Sequence, residues 1–164
     1  MKKRYLQQNV YQALLERLHF IFHEFDVVYV SFSGGKDSGL LYILLDFRDK
    51  FYPSTSIGVF HQDFEAQYRA TTEYVEETFR MLEKRPGVEL YWLCLPMATR
   101  TALSSFEMYW YPWDDKKETL WVRPMPEYDY VINLKNNPVT TYHYKMHQED
   151  LAKQFGRWYR SVHD

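Results

Sequence analysis

The chain has 164 residues, a formal net charge of −2 and a single cysteine, Cys94. This length predicts one domain, residues 1–164, that buries a core of its own. The single thiol excludes a disulfide within the chain. The near-neutral net charge gives no general electrostatic basis for nucleic-acid binding, although it leaves open a local basic groove that binds nucleic acid. Because no apolar run has the length of a membrane span, we expect a soluble cytoplasmic protein without membrane contact.

The chain alternates short apolar runs with segments of helical periodicity. The runs predict buried strands, namely Val27–Val30, Ile57–Phe60 and Val88–Leu95. The periodic segments predict helices, namely Asn9–Phe25, Leu40–Leu45, Glu65–Lys84 and Glu149–Val162. Strands that alternate with helices pair in parallel through right-handed crossovers. We therefore predict a three-layer α/β fold, with a mainly parallel sheet and helices on its flanks.

The region from Phe106 to Tyr144 has a different composition, rich in aromatic residues and proline. A helical piece is predicted at Thr101–Tyr109, followed by ordered loop. Such a region has too much apolar surface to be a flexible linker. We expect it to form an irregular C-terminal part that packs on the core, and to present a surface for a protein partner or a second copy of the chain.

The most informative motif follows the first predicted strand and reads Ser33-Gly34-Gly35-Lys36-Asp37-Ser38. Two glycines directly after a strand permit a tight turn and the close approach of a ligand to the backbone. The helix that follows presents free N–H groups and the positive end of its dipole, which together favour phosphate. The serine hydroxyls add donors and Lys36 adds a positive charge. The motif therefore predicts a phosphate-binding loop.

Two better-known phosphate motifs are excluded at this position. A Walker A loop needs a glycine where Val30 stands and a serine or threonine where Asp37 stands. The dinucleotide fingerprint needs separated glycines, whereas Gly34 and Gly35 are adjacent. A turn whose glycines serve geometry alone is the structural alternative.

The loop resembles the PP-loop of the superfamily that unites ATP pyrophosphatases with phosphoadenosine phosphosulfate (PAPS) reductases. The segment Phe60-His61-Gln62-Asp63-Phe64-Glu65 is similar to the His-x-Asp-Thr-Gly segment of that superfamily, with Phe64-Glu65 in place of Thr-Gly. Within the superfamily, the chain is most similar to PAPS-reductase-like proteins of phages and mobile elements, the IbrA-like proteins. The stretches that carry this similarity are Glu24–Asp26, Tyr29–Gly39, Asp63–Tyr68, Thr72–Val75, Cys94–Met97 and Trp121–Pro126.

The resemblance implies an adenine-nucleotide alpha-hydrolase-like fold that binds ATP, or a related adenine nucleotide, with Mg²⁺. The residues it implies for the nucleotide are Ser31, Ser33, Gly34, Gly35, Lys36, Asp37, Ser38, His61 and Asp63. Lys36 and Asp37 would be catalytic, while Asp37 and Asp63 would hold the metal. The alternatives for His61 and Asp63 are a loop histidine and a helix-capping aspartate. Because such proteins continue past the position of Asp164, we expect a chain shortened at its C-terminus.

Two functions follow from the resemblance. The first is adenylyl transfer from ATP to an unknown acceptor, with release of pyrophosphate. The second is a module without catalysis, a regulator that binds a nucleotide or a protein partner. Sulfonucleotide reduction is disfavoured because the C-terminal cysteine of the reductases is missing and Cys94 lies in an apolar strand, where a thiol is usually inert.

Several other polar and aromatic residues are weaker candidates for a site. Three arginines could stabilise charge near the α-phosphate but are expected at the surface, namely Arg69, Arg100 and Arg123. The pair His143 and His147 has the i, i+4 spacing of a metal site on a helix, without a third ligand nearby. Trp110, Trp113 and Trp121 could stack on a base of a nucleotide or nucleic acid, but tryptophan more commonly packs in a core or in a protein interface.

Overall fold

A four-stranded parallel sheet forms the centre of the protein in a computed structural model, which describes residues 7–101 and 103–164. Its strands are β1 Val28–Ser31, β2 Ile57–Gln62, β3 Val88–Leu93 and β6 Val131–Ile132. They lie in the order β1-β2-β3-β6, with every neighbouring pair parallel. The carboxyl ends of all four strands therefore meet at one edge of the sheet, where open parallel sheets bind ligands.

Four helices pack on the two faces of this sheet. They are α1 Val10–Glu24, α2 Leu40–Phe51, α3 Arg69–Leu82 and α4 Gln148–His163. Residues of α1, α2 and α3 share one buried cluster with Val28 and Val59, whereas α4 packs with Phe60 and Leu93 in a second cluster. The predicted α/β class is confirmed as a parallel sheet with helices on its flanks. None of the helices in the described residues has both the length and the apolar character needed to cross a membrane.

Helix α4 approaches the sheet closely because glycines remove the side chains between them. A Cβ atom built on Gly58 of β2 would lie 2.8 Å from Cζ of Tyr159. A Cβ atom on Gly156 of α4 would lie 2.6 Å from the hydroxyl oxygen of Tyr29 in β1. The two tyrosine rings lie 5.6 Å apart in an edge-to-face arrangement, so this layer is held by aromatic contacts.

The structure differs from the sequence predictions in two helices and contains one sheet strand that was not predicted. The helical piece at 101–109 is absent from the described residues, and an antiparallel pair stands there instead, β4 Thr99–Arg100 with β5 Tyr109–Trp110. The second crossover helix begins at Arg69 rather than Glu65, because Glu65 has a φ of 60° and Tyr68 a ψ of 133°, neither of which continues a right-handed helix. Strand β6 was not predicted, since two residues are too few to produce a periodic signal.

Candidate functional site

The loop Ser33–Ser38 connects β1 to α2 at the carboxyl edge of the sheet. Its backbone turns at Gly34, which has a φ of 75°, in the left-handed region that favours glycine. A Cβ atom at Gly34 would lie 2.7 Å from Cγ2 of Val75 and 3.2 Å from Cγ2 of Thr71, both on α3. The first glycine of the motif is therefore required both by its conformation and by its contact with the neighbouring helix.

Hydrogen bonds within the loop hold its shape. The Ser38 hydroxyl donates to the Gly35 carbonyl oxygen at 2.7 Å, and the Gly35 amide donates to the Ser33 hydroxyl at 3.3 Å. The amides of Gly34 and Lys36 have no acceptor among the described residues. Free amides at the start of a helical segment form a binding site for anions. The loop therefore presents donors that an anionic ligand can use.

Four of the polar residues predicted for this site lie at the surface of the loop region. Ser31, Ser33, Lys36 and Asp37 are exposed, and the last two belong to a short 3-10 helix, Lys36–Gly39, that leads into α2. Neither Lys36 nor Asp37 forms an ion pair with another described residue. Both side chains are therefore available to a ligand at the loop.

His61 supports the loop from inside the protein. It lies in β2, is 1% exposed, and its Nδ1 lies 2.7 Å from the carbonyl oxygen of Phe32. Because a carbonyl only accepts, Nδ1 carries the proton in this hydrogen bond. Burial lowers the pKa of His61, and the carboxylate of Asp63 opposes that shift. His61 is a neutral buried residue of a strand, so the alternative of a loop histidine is wrong.

Asp63 follows β2 and is completely buried. The Arg123 guanidinium donates to both of its carboxylate oxygens at 2.5 Å. The Trp92 indole donates to Oδ2 at 2.6 Å, and the Glu65 amide donates to Oδ1 at 2.7 Å. Donors of the protein thus engage both oxygens, so this geometry gives no support to the predicted metal role of Asp63. Its bond to the Glu65 amide closes a local turn rather than capping α3.

Glu65 links the same corner to the aromatic region. Its carboxylate is buried and accepts hydrogen bonds from the backbone amides of Trp113 and Val122, each at 2.9 Å. The Trp113 indole donates to the Asp63 carbonyl oxygen at 3.0 Å. Two buried acids from one short segment therefore fix the path of residues 113–123 across the carboxyl edge of the sheet.

Arg123 completes this network and corrects one expectation. Besides its bonds to Asp63, its Nε donates to the Glu65 carbonyl oxygen at 3.1 Å, and its guanidinium lies 4.9 Å from the centre of the Trp113 ring. Its side chain is 20% exposed. The prediction of a surface arginine is therefore wrong for Arg123. In contrast, the side chain of Arg69 is 91% exposed, as predicted.

The remaining candidates lie away from the loop. Cys94 is fully buried, and burial raises the pKa of its thiol, which agrees with an inert core cysteine. His143 and His147 both precede α4, so they do not share a helix. Within the described residues, no group of three or more His, Cys, Asp or Glu side chains is arranged to hold a metal ion.

Comparison with known proteins adds one relative. The chain is 32% identical over 155 residues to the uncharacterized protein YbdN of Escherichia coli strain K12. The match includes 94% of this chain but only 36% of YbdN, so the chain spans just over a third of that relative's length. No model of a known protein family matches the chain, and no solved structure matches it.

Proposed function

We propose that the protein is a PP-loop domain of the adenine-nucleotide alpha-hydrolase-like class that binds ATP through residues 33–38. The observation that carries the proposal is the loop itself. Gly34 turns the backbone in a left-handed conformation against α3, and two amides without acceptors and the exposed Lys36 stand at the carboxyl edge of the sheet. Such a set of donors fits a polyphosphate better than a neutral ligand.

The chemistry that we propose, on the resemblance to PP-loop enzymes, is transfer of the adenylyl group. A nucleophile on the acceptor would form a bond to the α-phosphorus while the bridging bond to the β-phosphate breaks. Pyrophosphate would leave with the electron pair of that bond, and the acceptor proton would pass to water. The loop amides and Lys36 would stabilise the charge that develops on the pyrophosphate.

The exposed carboxylate of Asp37 fits a Mg²⁺ ion bound together with phosphate oxygens, since magnesium prefers one or two carboxylates plus phosphate ligands. When bound, the ion would neutralise phosphate charge. Asp63 does not fit as a second ligand, because protein donors already engage both of its oxygens. His61 would act on the nucleotide indirectly, by holding the Phe32 carbonyl at the start of the loop.

Calorimetric titration with Mg²⁺-ATP tests the binding, and release of pyrophosphate tests the chemistry. The decisive variant is Gly34→Ala, whose new methyl group would meet Val75 at 2.7 Å. The matched control is Gly39→Ala in the same loop region, where a Cβ atom meets nothing within 4 Å and the backbone is helical. We expect the first variant to lose at least about tenfold in affinity, which corresponds to 1.4 kcal/mol, and the control to retain it.

A second variant, Lys36→Met, removes the positive charge but leaves the backbone of the loop unchanged, so it separates the effect of charge on nucleotide affinity from the effect of loop shape. Removing a charge-assisted hydrogen bond should weaken binding by about tenfold or more without changing the thermal unfolding curve. Wild-type protein that binds no nucleotide at millimolar concentration, or a Gly34→Ala variant that is folded and binds normally, would refute the proposal.

A nucleotide-binding regulator without catalysis is the second candidate. The observation that favours it is the state of Asp63, whose carboxylate serves the fold rather than the loop. Tight binding of Mg²⁺-ATP with no release of pyrophosphate across a panel of acceptors would select this candidate over the enzyme.

A further inference from the structure

A hollow lies at the carboxyl ends of β3 and β6, on the same edge of the sheet as the loop but two and three strands away from β1. The connection between these strands carries a short 3-10 helix, Asp115–Leu120, and otherwise irregular backbone over much of its length. Irregular backbone fills the space above a sheet less completely than a long helix does. The volume left is about 730 Å³, within the range of small-molecule sites.

The wall of this hollow combines apolar and aromatic surfaces. Trp121, Met125 and Tyr128 are its partly exposed members, whereas Cys94 and Trp113 border it with almost no accessible surface. The Tyr128 ring is fixed by stacking on Tyr130 at 5.1 Å. Rigid aromatic surfaces of this kind suit an organic ligand with an apolar frame.

The charged side chains that line the hollow are mainly acidic, although the exposed Lys116 and Lys117 stand between two of these acids in the chain. Its lining carries two basic side chains, Arg123 and Lys135, and the charge of Arg123 is balanced by its contact with Asp63. Lys135 therefore stands as the one unbalanced cation of the lining against four exposed carboxylates. The four belong to Asp115, Glu118, Glu127 and Asp129. A potential of this sign in a concave site attracts cations.

The hollow is also connected to the phosphate loop. β1 and β3 are separated only by β2, so the carboxyl ends of these strands lie roughly 10 Å apart, at about 4.8 Å per strand. Arg123 in the wall binds Asp63, Asp63 accepts from Trp92, and the Trp92 ring packs edge-to-face on His61 at 5.2 Å. His61 in turn holds the start of the loop.

We propose that this hollow is a second ligand site that binds an organic cation, an amine or guanidinium attached to an apolar frame. In the reaction proposed above, on which this assignment of role rests, the cation is the acceptor of the adenylyl group. The carboxylates bind its charge, and Trp121, Met125 and Tyr128 bind its frame. A nucleophile elsewhere on the frame reaches toward the loop.

Two probes of matched shape and opposite charge test the site. Phenethylamine and 3-phenylpropionate share an aromatic ring and a two-carbon spacer. Titration of the full chain at low salt, followed by tryptophan fluorescence and calorimetry, should show the amine binding at least about tenfold more tightly than the acid. Equal affinity for the two probes would overturn the proposal. So would a failure of the amine to bind at about 10 mM, the concentration that corresponds to a binding free energy of about 3 kcal/mol.

A double variant locates the binding. Glu127→Gln with Asp129→Asn removes two charges from the hollow, and we expect the amine to bind about fivefold more weakly, as for two exposed ion pairs. The control is Glu16→Gln with Asp26→Asn, which removes the same charge from exposed positions in α1 and the turn after it. An equal loss in both doubles would attribute the effect to net charge and overturn the site.

Mg²⁺-ATP titrations of the same samples distinguish the two proposals. Binding of ATP without binding of the amine would overturn the cation site and leave the loop function standing. Binding of the amine without ATP would refute the loop function and the acceptor role, while supporting the cation site itself. Binding of both, with the amine affinity lowered only by the Glu127 and Asp129 changes, would support both proposals.

Discussion

The substitution Arg123→Met provides the sharpest test of the network that joins the sheet to the aromatic region. Asp63 is completely buried, and Arg123 donates to both of its oxygens. Methionine preserves much of the apolar stem but removes every guanidinium donor. The carboxylate then keeps its contacts with Trp92 and the Glu65 amide but loses its only opposite charge among the described residues.

The expected loss follows from the burial of the carboxylate. Removing one partner of a buried ion pair costs about 3–5 kcal/mol, because the remaining charge stays desolvated. The hydrogen bond to the Glu65 carbonyl and the contact with the Trp113 ring are lost as well. For a domain with a total stability of about 5–15 kcal/mol, this is a large fraction. We expect a clear shift of the urea midpoint to lower concentration.

The matched control is Arg69→Met, which removes an exposed arginine and its i, i+4 pair with Glu73. Because solvent screens that pair, we expect no measurable shift of the midpoint. Asp63→Asn combined with Arg123→Met should recover stability relative to Arg123→Met alone, with a coupling free energy of about 2 kcal/mol. A loss below about 1 kcal/mol for Arg123→Met, or no recovery in the double variant, would refute this view of the network.

Three further predictions concern the core around the sheet. Because burial lowers the pKa of His61, the folded state keeps its imidazole neutral. Its contribution to the free energy of unfolding is therefore complete above the unfolded-state pKa near 6.5. Below that pH the contribution decreases by up to about 1.4 kcal/mol per pH unit. As the pH decreases from 8 to 5, the urea midpoint should fall less steeply for His61→Gln than for the wild type. Parallel pH dependences of the two midpoints would contradict this. Gly58→Ala should reduce the free energy of unfolding by about 1–3 kcal/mol through overlap with Tyr159, whereas Gly39→Ala should not reduce it. Cys94 should resist iodoacetamide at pH 8 unless denaturant unfolds the protein, because its thiol is buried with a raised pKa, and fast alkylation of the native protein would disprove that placement.

Elements with a local signal were predictable from the sequence. The runs around Val28, Ile57 and Leu90 gave the three main strands, and the periodicity around Leu18 and Phe79 gave helices on their flanks. The tight turn of residues 33–38 was also predictable, because a tight turn after a strand needs glycine at particular positions. The antiparallel pair of β4 and β5 was not, since two-residue strands depend on partners rather than on their own pattern.

The roles of the polar residues outside the loop were decided by distant contacts. The sequence could place Asp63 at the end of a strand, but its partner Arg123 stands 60 positions further along the chain. The sequence alone does not distinguish a carboxylate that binds a ligand from one that pairs with an arginine far along the chain. The same applies to Glu65, whose partners Trp113 and Val122 come from the aromatic region.

The sequence by itself therefore determined the class of fold and the position of the glycine turn on which the proposed phosphate site rests. Both rest on properties of consecutive residues, namely the alternation of apolar runs and the conformational freedom of Gly34. Only the tertiary structure decided that His61 and Asp63 face inward, since burial and hydrogen bonding depend on which segments meet at the carboxyl edge of the sheet. It also decided where the hollow lies, because the space between β6 and the irregular connection exists only after the chain has folded.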